Sequence, residues 1–433
     1  MKKYKKYKES GFDYLDMIPS EWELIRLKYS DEVIMGQSPA SEDYAYEPND
    51  YPFLQGNAEF SQLYPTPRIW CDKANKFSEI NDILISVRAP IGAINISDKV
   101  YGIGRGLAAI RGIKHSSKYL FYFFTSLTEY LNSEGTGSTF TAISTSKLKE
   151  VIIPNISLEE QTKIAKYLDY QTAIIDQLIL QKEKLIELLK EKKQAVINEA
   201  VTKGLNPKAK MKDSGIEWLG EVPEHWSVSF LKRFCLKITD GAHFSPKTEF
   251  EGRNYISVKD VDEFGNIDLI NCKKISQADF DGLVRNGCQP SMKDVLLTKD
   301  GTIGRAAVVK DDNDFVSLSS LGIITPNDKK LDSEYLRLFL ISGINVDQMF
   351  SLIAGAALTR LTIEKMKHLV ITIPPINEQR EIVSRLEKKV VGFDNSIEII
   401  STQIEKLKEY RQSIISEAVT GKIDVRNWQA KLL

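Results

Sequence analysis

"DSGIEWLGEVPEHWSVSFLKR" occupies residues 213–233, near the middle of the chain, yet it reads like a beginning. Residues 10–28 read "SGFDYLDMIPSEWELIRLK". In both stretches Ser-Gly leads to an apolar residue, an acid, an aromatic and Leu, and the chain then passes Pro and Trp to a Leu-Lys pair. The correspondence continues in order. "NDILISVRAPIGAI" (81–94) lies over "KDVLLTKDGTIGRA" (293–306), and "SKYLFYFF" (117–124) over "SEYLRLFL" (333–340). "GSTFTAISTSKLKEVIIPNISLEEQ" (137–161) lies over "GAALTRLTIEKMKHLVITIPPINEQ" (355–379), and "INEAVTKGL" (197–205) over "ISEAVTGKI" (415–423). Landmarks kept in sequence over such a span mark a tandem duplication.

Each copy has two parts. In the first, "DILISV" (82–87) and "DVLLTK" (294–299) are brief apolar runs ending at Gly- or Pro-bearing turns, the pattern of buried strands. "SKYLFYFFTSL" and "SEYLRLFLIS" predict short helices with a Ser N-cap. The second part predicts a long helix. Residues 158–203 contain neither Gly nor Pro, and apolar residues fall at Ile164, Leu168, Ile175, Leu178, Leu185, Leu189 and Val196. Gln171, Lys182 and Lys192 complete that seam. The second copy places Ile382, Leu386, Val390, Phe393, Ile397, Ile400, Ile404, Leu407 and Ile414 in the same rhythm, with a stutter near Leu386–Phe393. "SLEEQ" and "PINEQ" predict a Ser or Asn cap at each helix start. A helix of about 45 residues is roughly 65–70 Å long, and pairing two of them buries both stripes.

Domain termini tend to lie together, so the second helix is expected to run back antiparallel to the first. The predicted fold class is therefore α+β: two tandem mixed α/β domains, separated and held by two long antiparallel coiled-coil helices with pseudo-two-fold symmetry. The expected boundaries are a first domain at 1–157 with a basic tail at 1–9, and a helix at 158–203. A second domain follows at 204–375, a helix at 376–421 and a C-terminal tail at 422–433.

Bulk composition is consistent with this. A chain of 433 residues is long enough for two or more domains. With 42% hydrophobic and 27% charged residues, it has the balance of a water-exposed globular chain. No apolar run reaches the length of a membrane helix, and the basic "MKKYKKYKES" is followed by no apolar stretch, so neither a membrane partner nor a secretory signal is expected. Cys71, Cys235, Cys272 and Cys288 are scattered without CxxC spacing, as reduced thiols of a cytoplasmic protein would be. The net charge of −1 favours no partner, so a nucleic-acid surface would require local clustering of Lys and Arg.

Between the shared landmarks the copies diverge. "MGQSPASEDYAYEPNDYPFLQGN" (35–57) faces "TDGAHFSPKTEFEGRNYISVKD" (239–260). A shared frame with different loops suggests different ligands at the two ends. Dimeric DNA readers match two-fold operators; a pseudo-dimer with unlike ends suits a split, asymmetric double-stranded DNA sequence. Candidate DNA-binding residues of the first copy are Ser86 and Arg88, Arg105, and Ser138, Thr139 and Thr141. Those of the second are Lys259, Lys299, Arg305, Ser319, Ser320, Thr359 and Arg360. Arginine forks can grip guanine or phosphate, and small hydroxyl residues let backbone N–H groups approach phosphates. No catalytic or metal-binding residue is expected. Phosphate-loop and dinucleotide glycine motifs are missing, "IPPIN" (373–377) lacks the aromatic of an adenine methyltransferase site, and His115, His225, His243 and His368 are dispersed. A coiled-coil adaptor whose end domains bind proteins rather than DNA is the competing reading.

"DSGIEWLGEVPEHW", the helix starts "LEEQTKI" and "NEQREI", and "SEAVTGKIDVRNW" (416–428) together resemble the specificity subunits of type I restriction–modification systems. The resemblance covers both copies. It implies two target-recognition domains, each reading one half of a bipartite site, with the helices as spacer. It also implies partners: methyltransferase (M) subunits docked along the helices and an endonuclease/translocase (R) subunit. This chain would then be non-catalytic and bind no cofactor. S-adenosylmethionine, ATP and Mg2+ would enter through partner subunits that carry adenine-N6 methyltransferase and ATP-dependent endonuclease activity.

Overall fold

The computed structural model describes residues 2–48, 51–135, 142–311, 314–353 and 360–430. The backbone divides into two units that interleave in sequence: Met1–Lys182 with Thr402–Leu433, and Glu183–Ser401.

In the first unit an antiparallel sheet runs in the order Glu32–Met35, Leu107–Arg111, Ile83–Ser86, Ile94–Ile96. Ile83–Ser86 is buried along its whole length, which is why it reads as an unbroken apolar run rather than an alternating one. A second sheet pairs Tyr101–Ile103 in parallel with Pro52–Leu54 and adds Ile69–Trp70 and Phe77–Ser78 at its edges.

The second unit repeats the first sheet with the order Cys235–Asp240, Leu321–Pro326, Val295–Thr298, Ala306–Val308. Its second sheet keeps a parallel pair, Arg253–Ile256 with Phe315–Ser317, but extends through Lys273–Ile275 to Thr248–Glu249 and gains the helix Gln277–Arg285. The frame is thus duplicated and its margin is not.

In each unit a two-stranded ladder brings entrance and exit together. Glu23–Arg26 pairs with Ile152–Asn155, and Ser227–Phe230 with Val370–Ile373. The predicted short helices are Ser117–Ser126 and Ser333–Leu340, but each is capped one residue before its opening serine, by Ser116 and by Asp332.

The long helices are Leu158–Lys203, 46 residues, and Ile376–Val419, 44 residues. Ser157 caps the first, its hydroxyl accepting from the Glu160 N–H at 3.2 Å. The expected Asn cap of the second is not used: Asn377 lies inside the helix, and the Pro375 carbonyl takes the N–H groups of Glu378 and Gln379. The shared feature of the two starts is a buried glutamine. Gln161 accepts from the Ser116 N–H (2.7 Å) and donates to the Ile156 carbonyl (2.9 Å). Gln379 does the same with Asp332 (2.8 Å) and Pro374 (2.8 Å).

Within the first unit the helical segments pair antiparallel: Asp176 meets Arg411 at 2.8 Å and Lys182 meets Gln403 at 2.6 Å. Within the second, Lys193 meets Asp394 at 2.6 Å. The expected seam of the second helix is buried or half-buried throughout. That of the first is partly displaced: Leu178 and Leu185 are exposed, and the neighbouring Ile179 and Ile186 are half-buried in their place.

The opening motif recurs because each unit must close a helix end. Gly204 and Gly421 follow the long helices with φ of +75°, the left-handed turn that ends a helix. Buried Trp226 packs on Gly204, and buried Trp22 on Gly421. Beside them the Tyr335 hydroxyl donates to the Val201 carbonyl and the Tyr119 hydroxyl to the Val419 carbonyl. A Cβ at Gly421 would stand 2.5 Å from Pro19 Cδ and 2.8 Å from the Trp22 ring. Gly421→Ala is therefore expected to destabilise the first unit by more than the ~1–2 kcal/mol of the left-handed backbone alone, read as a lowered unfolding midpoint. An unchanged midpoint would rule out this packing.

Candidate nucleic-acid interface

In the first unit Val87 leaves its strand and is held from both sides. Its N–H donates to the Gly106 carbonyl (2.9 Å), and its carbonyl accepts from Ile143 (3.0 Å). This brings Arg88 and Arg105, both exposed, to one end of the sheet. Arg88 faces Ala142 across an isolated bridge, and the Arg105 N–H donates to Ser38 Oγ at 3.1 Å. Gly104 and Gly106 flank Arg105 because the chain crosses another loop there: a Cβ on Gly106 would lie 2.5 Å from the Gln55 carbonyl oxygen. Ser86 is buried, its hydroxyl donating to the Pro90 carbonyl (2.7 Å) and accepting from the Ala93 N–H (2.9 Å). It supports the turn instead of projecting from it.

The second unit builds the same edge from different chemistry. Thr298 takes the place of Ser86 and accepts from the Arg305 N–H at 2.9 Å. Lys299 takes the place of Val87, with its N–H on the Ser320 carbonyl and its carbonyl on the Leu361 N–H. Its side chain is only 2% exposed, and the ammonium sits 3.2 Å from Asp240 and 3.8 Å from Asp300. Asp300 and Arg360 then stand where Arg88 and Ala142 stand in the first unit. The Arg360 guanidinium is exposed and bound two-fold by Asp300, Nε to Oδ1 and Nη2 to Oδ2, each at 2.7 Å. That carboxylate holds the guanidinium above its ordinary value.

Of the other candidates, Lys259 is exposed on the turn Val258–Asp260, which Ser257 and Asp260 cap reciprocally. Arg305 is half-buried and donates to the Val261 carbonyl at 3.1 Å. Ser319 and Ser320 are buried, and Ser320 Oγ accepts from the Val258 N–H. Lys299, Ser86, Ser319 and Ser320 are thus placed beneath the loops. Ser138, Thr139, Thr141 and Thr359 lie outside the described residues. Sequence reasoning missed Asp240 and Asp300, which hold the second edge together; an acid next to Lys299 in "TKDG" was the available signal.

Among the described residues no three His, Cys, Asp or Glu side chains gather as metal ligands, and the four cysteines are free thiols. No single described helix is long and apolar enough to cross a membrane.

A family model described as the type I restriction modification DNA specificity domain matches residues 19–189 and 223–409. A specificity subunit of Methanocaldococcus jannaschii, provisionally named for the type I restriction enzyme MjaX, is 39% identical over 204 residues. That alignment covers 46% of this chain and 46% of the relative, about half its length. The type I restriction enzyme MjaVIII specificity subunit of the same organism is 26% identical over 445 residues, covering 97% of this chain and 98% of the relative. A chain from a solved structure concerning complex assembly and conformational transition of the type I R-M system aligns with a TM-score of 0.70 at 16% identity. It covers 94% of this chain and 99% of that one, a likeness of fold.

Proposed function

This chain belongs to the type I restriction modification DNA specificity family, and from that premise we propose that it is the sequence-reading, non-catalytic subunit of a cytoplasmic restriction–modification complex. Each recognition domain reads one half of a bipartite double-stranded DNA target. The long helices set the spacing between the halves and dock the methyltransferase (M) subunits; an endonuclease/translocase (R) subunit completes the complex. S-adenosylmethionine, ATP and Mg2+ belong to those partners, which carry adenine-N6 methylation and ATP-dependent cleavage.

The observation that carries the reading is the contrast at equivalent positions. Arg88 opposite Ala142 in one unit becomes Asp300 opposite Arg360 in the other, on the same strand frame. A surface that bound one ligand twice would keep its chemistry; two different half-sites require it to change. Exposed Arg88, Arg105, Lys259 and Arg360 are the proposed DNA contacts, with Arg305 beside them and Ser86, Lys299, Ser319 and Ser320 supporting the loops.

The test is a comparison of adenine methylation across the genome with and without this gene. A split motif is expected to lose methylation on deletion and to regain it on complementation. Unchanged methylation, or loss of a single continuous motif, would overturn the proposal. The complex on its site is further expected to weaken steeply with salt while withstanding competitor DNA.

A further inference from the structure

Arg360 is held in a way that leaves part of it pointed outward. Asp300 occupies Nε and one N–H of Nη2. A guanidinium has further N–H groups, and those left include one on each terminal nitrogen at the end away from the carboxylate. That pair has the spacing of guanine O6 and N7 in the major groove. Asp300 is itself held: its backbone bridges to Arg360, and its carboxylate lies 3.8 Å from the buried Lys299 ammonium. Lys299 is anchored in turn on Asp240 at 3.2 Å, whose other oxygen meets His243 Nε2 at 3.1 Å. A lysine 2% exposed is costly to bury without carboxylate partners, so its presence under an exposed ion pair fixes where the negative charge sits.

We propose that Asp300 is a positioning residue which, seated on the buried Lys299–Asp240 pair, aims Arg360 at one guanine of the half-site read by the second unit. This rests on the DNA-reading function proposed above and adds a base identity to it. The first unit has no such device among the described residues, because Arg88 replaces Asp300 and Ala142 replaces Arg360. The two half-sites are therefore read differently at this position. Asp300 is half-buried, and Asp300→Ala takes one of two carboxylates from Lys299, which keeps Asp240. The unfolding midpoint of the variant, read beside its binding, separates a lost aim from a lost support.

The experiment uses the full chain assembled with its methyltransferase subunits on the target found by methylation mapping. Each guanine of both half-sites is replaced in turn by 7-deazaguanine, which lacks the N7 acceptor. With the wild-type chain, one guanine in one half-site is expected to lose about tenfold to a hundredfold in affinity. With Arg360→Ala, and separately with Asp300→Ala, that same replacement is expected to have no further effect. Reading of the other half-site, and of the remaining bases of the half-site read by the second unit, should stay intact; the latter reports that the mutated unit is folded. The inference falls if no guanine is sensitive in this way, or if the sensitivity survives in either variant. Absence of any site-specific binding by the wild-type complex would instead sink the DNA-reading function itself.

Discussion

Deleting residues 187–193 together with residues 394–400 is expected to shorten the spacer between the two half-sites by about three base pairs and to leave the bases read in each half unchanged. Seven residues span about 10 Å of helix, close to three base-pair steps of B-form DNA. They also come within ~20° of two whole helical turns, so the faces beyond the cut keep their phase. The blocks are chosen to oppose one another in the antiparallel pair and to remove Lys193 and Asp394 together, leaving neither charge without its partner. Ile397 in the second block is buried, but neither block contributes a residue to the main apolar cluster of the second unit, which draws on Ile197, Ala200 and Val201 of the first helix and on Ile382, Val383, Leu386 and Val390 of the second. The measurement is the methylated motif in cells carrying the variant. A motif with both halves preserved and a shorter gap fits the ruler. The original gap would show that spacing is set elsewhere, and two altered half-sites would show that the helices also shape the reading domains.

The duplication makes the long helices and the strand frame legible in the sequence, because residues that do the same work twice stay alike. Asp82 and Asp294 each take a backbone N–H three residues upstream, Ser86 and Thr298 each brace the turn that follows, and Gln161 and Gln379 each staple a helix start. That likeness carried a lesson for the candidate contacts. Ser86 and its counterpart Thr298 belong to the shared frame, whereas the reading chemistry should be sought where the copies disagree. The seam of the first helix was less legible for a different reason. "QLILQKEKLIELLK" offers leucines and isoleucines on several phases at once, so periodicity alone does not choose between Leu178 and Ile179 or between Leu185 and Ile186. Lys182, one of the polar members expected in that seam, does meet the facing helical segment, donating to Gln403. The inward turn of Lys299 was invisible for a related reason: a lysine is ordinarily a surface residue, and only the fold brings Asp240 to it.

His115→Ala is expected to cost the first unit about 3–5 kcal/mol, the scale for leaving a buried charge, here the Asp31 carboxylate, without its partner. The His115 and Asp31 side chains are both 0% exposed and meet at 2.6 Å, Nδ1 to Oδ2. The imidazole Nε2 reaches the Pro154 carbonyl at 3.1 Å, at the strand that leads into the first long helix, and Asp31 Oδ1 accepts from the Ile113 N–H at 2.9 Å. Burial alone would raise the Asp31 carboxyl, but the hydrogen bond and charge of His115, together with hydrogen bonds from Ser30 and the Ile113 N–H, outweigh it and hold the group below its ordinary value. With the folded value depressed, Asp31 contributes its full stabilisation above the ordinary aspartate value of about 3.9 and loses it as pH falls through the lower folded value. The second unit needs none of this. Leu331 and Cys235 stand at the matching positions in its apolar core, where burial pushes the Cys235 thiol up to about 12 and keeps it neutral. Transplanting that solution, His115→Leu with Asp31→Cys, should therefore recover most of the stability lost in His115→Ala, since a buried ion pair can be replaced by apolar groups far more cheaply than it can be halved. Urea unfolding of the full chain near neutral pH and again below about pH 3.9, where the Asp31 contribution is being lost, separates the cases. The double variant should lose less on acidification than the wild type. If the single and double variants unfold alike, the pair is not what holds this edge of the first unit.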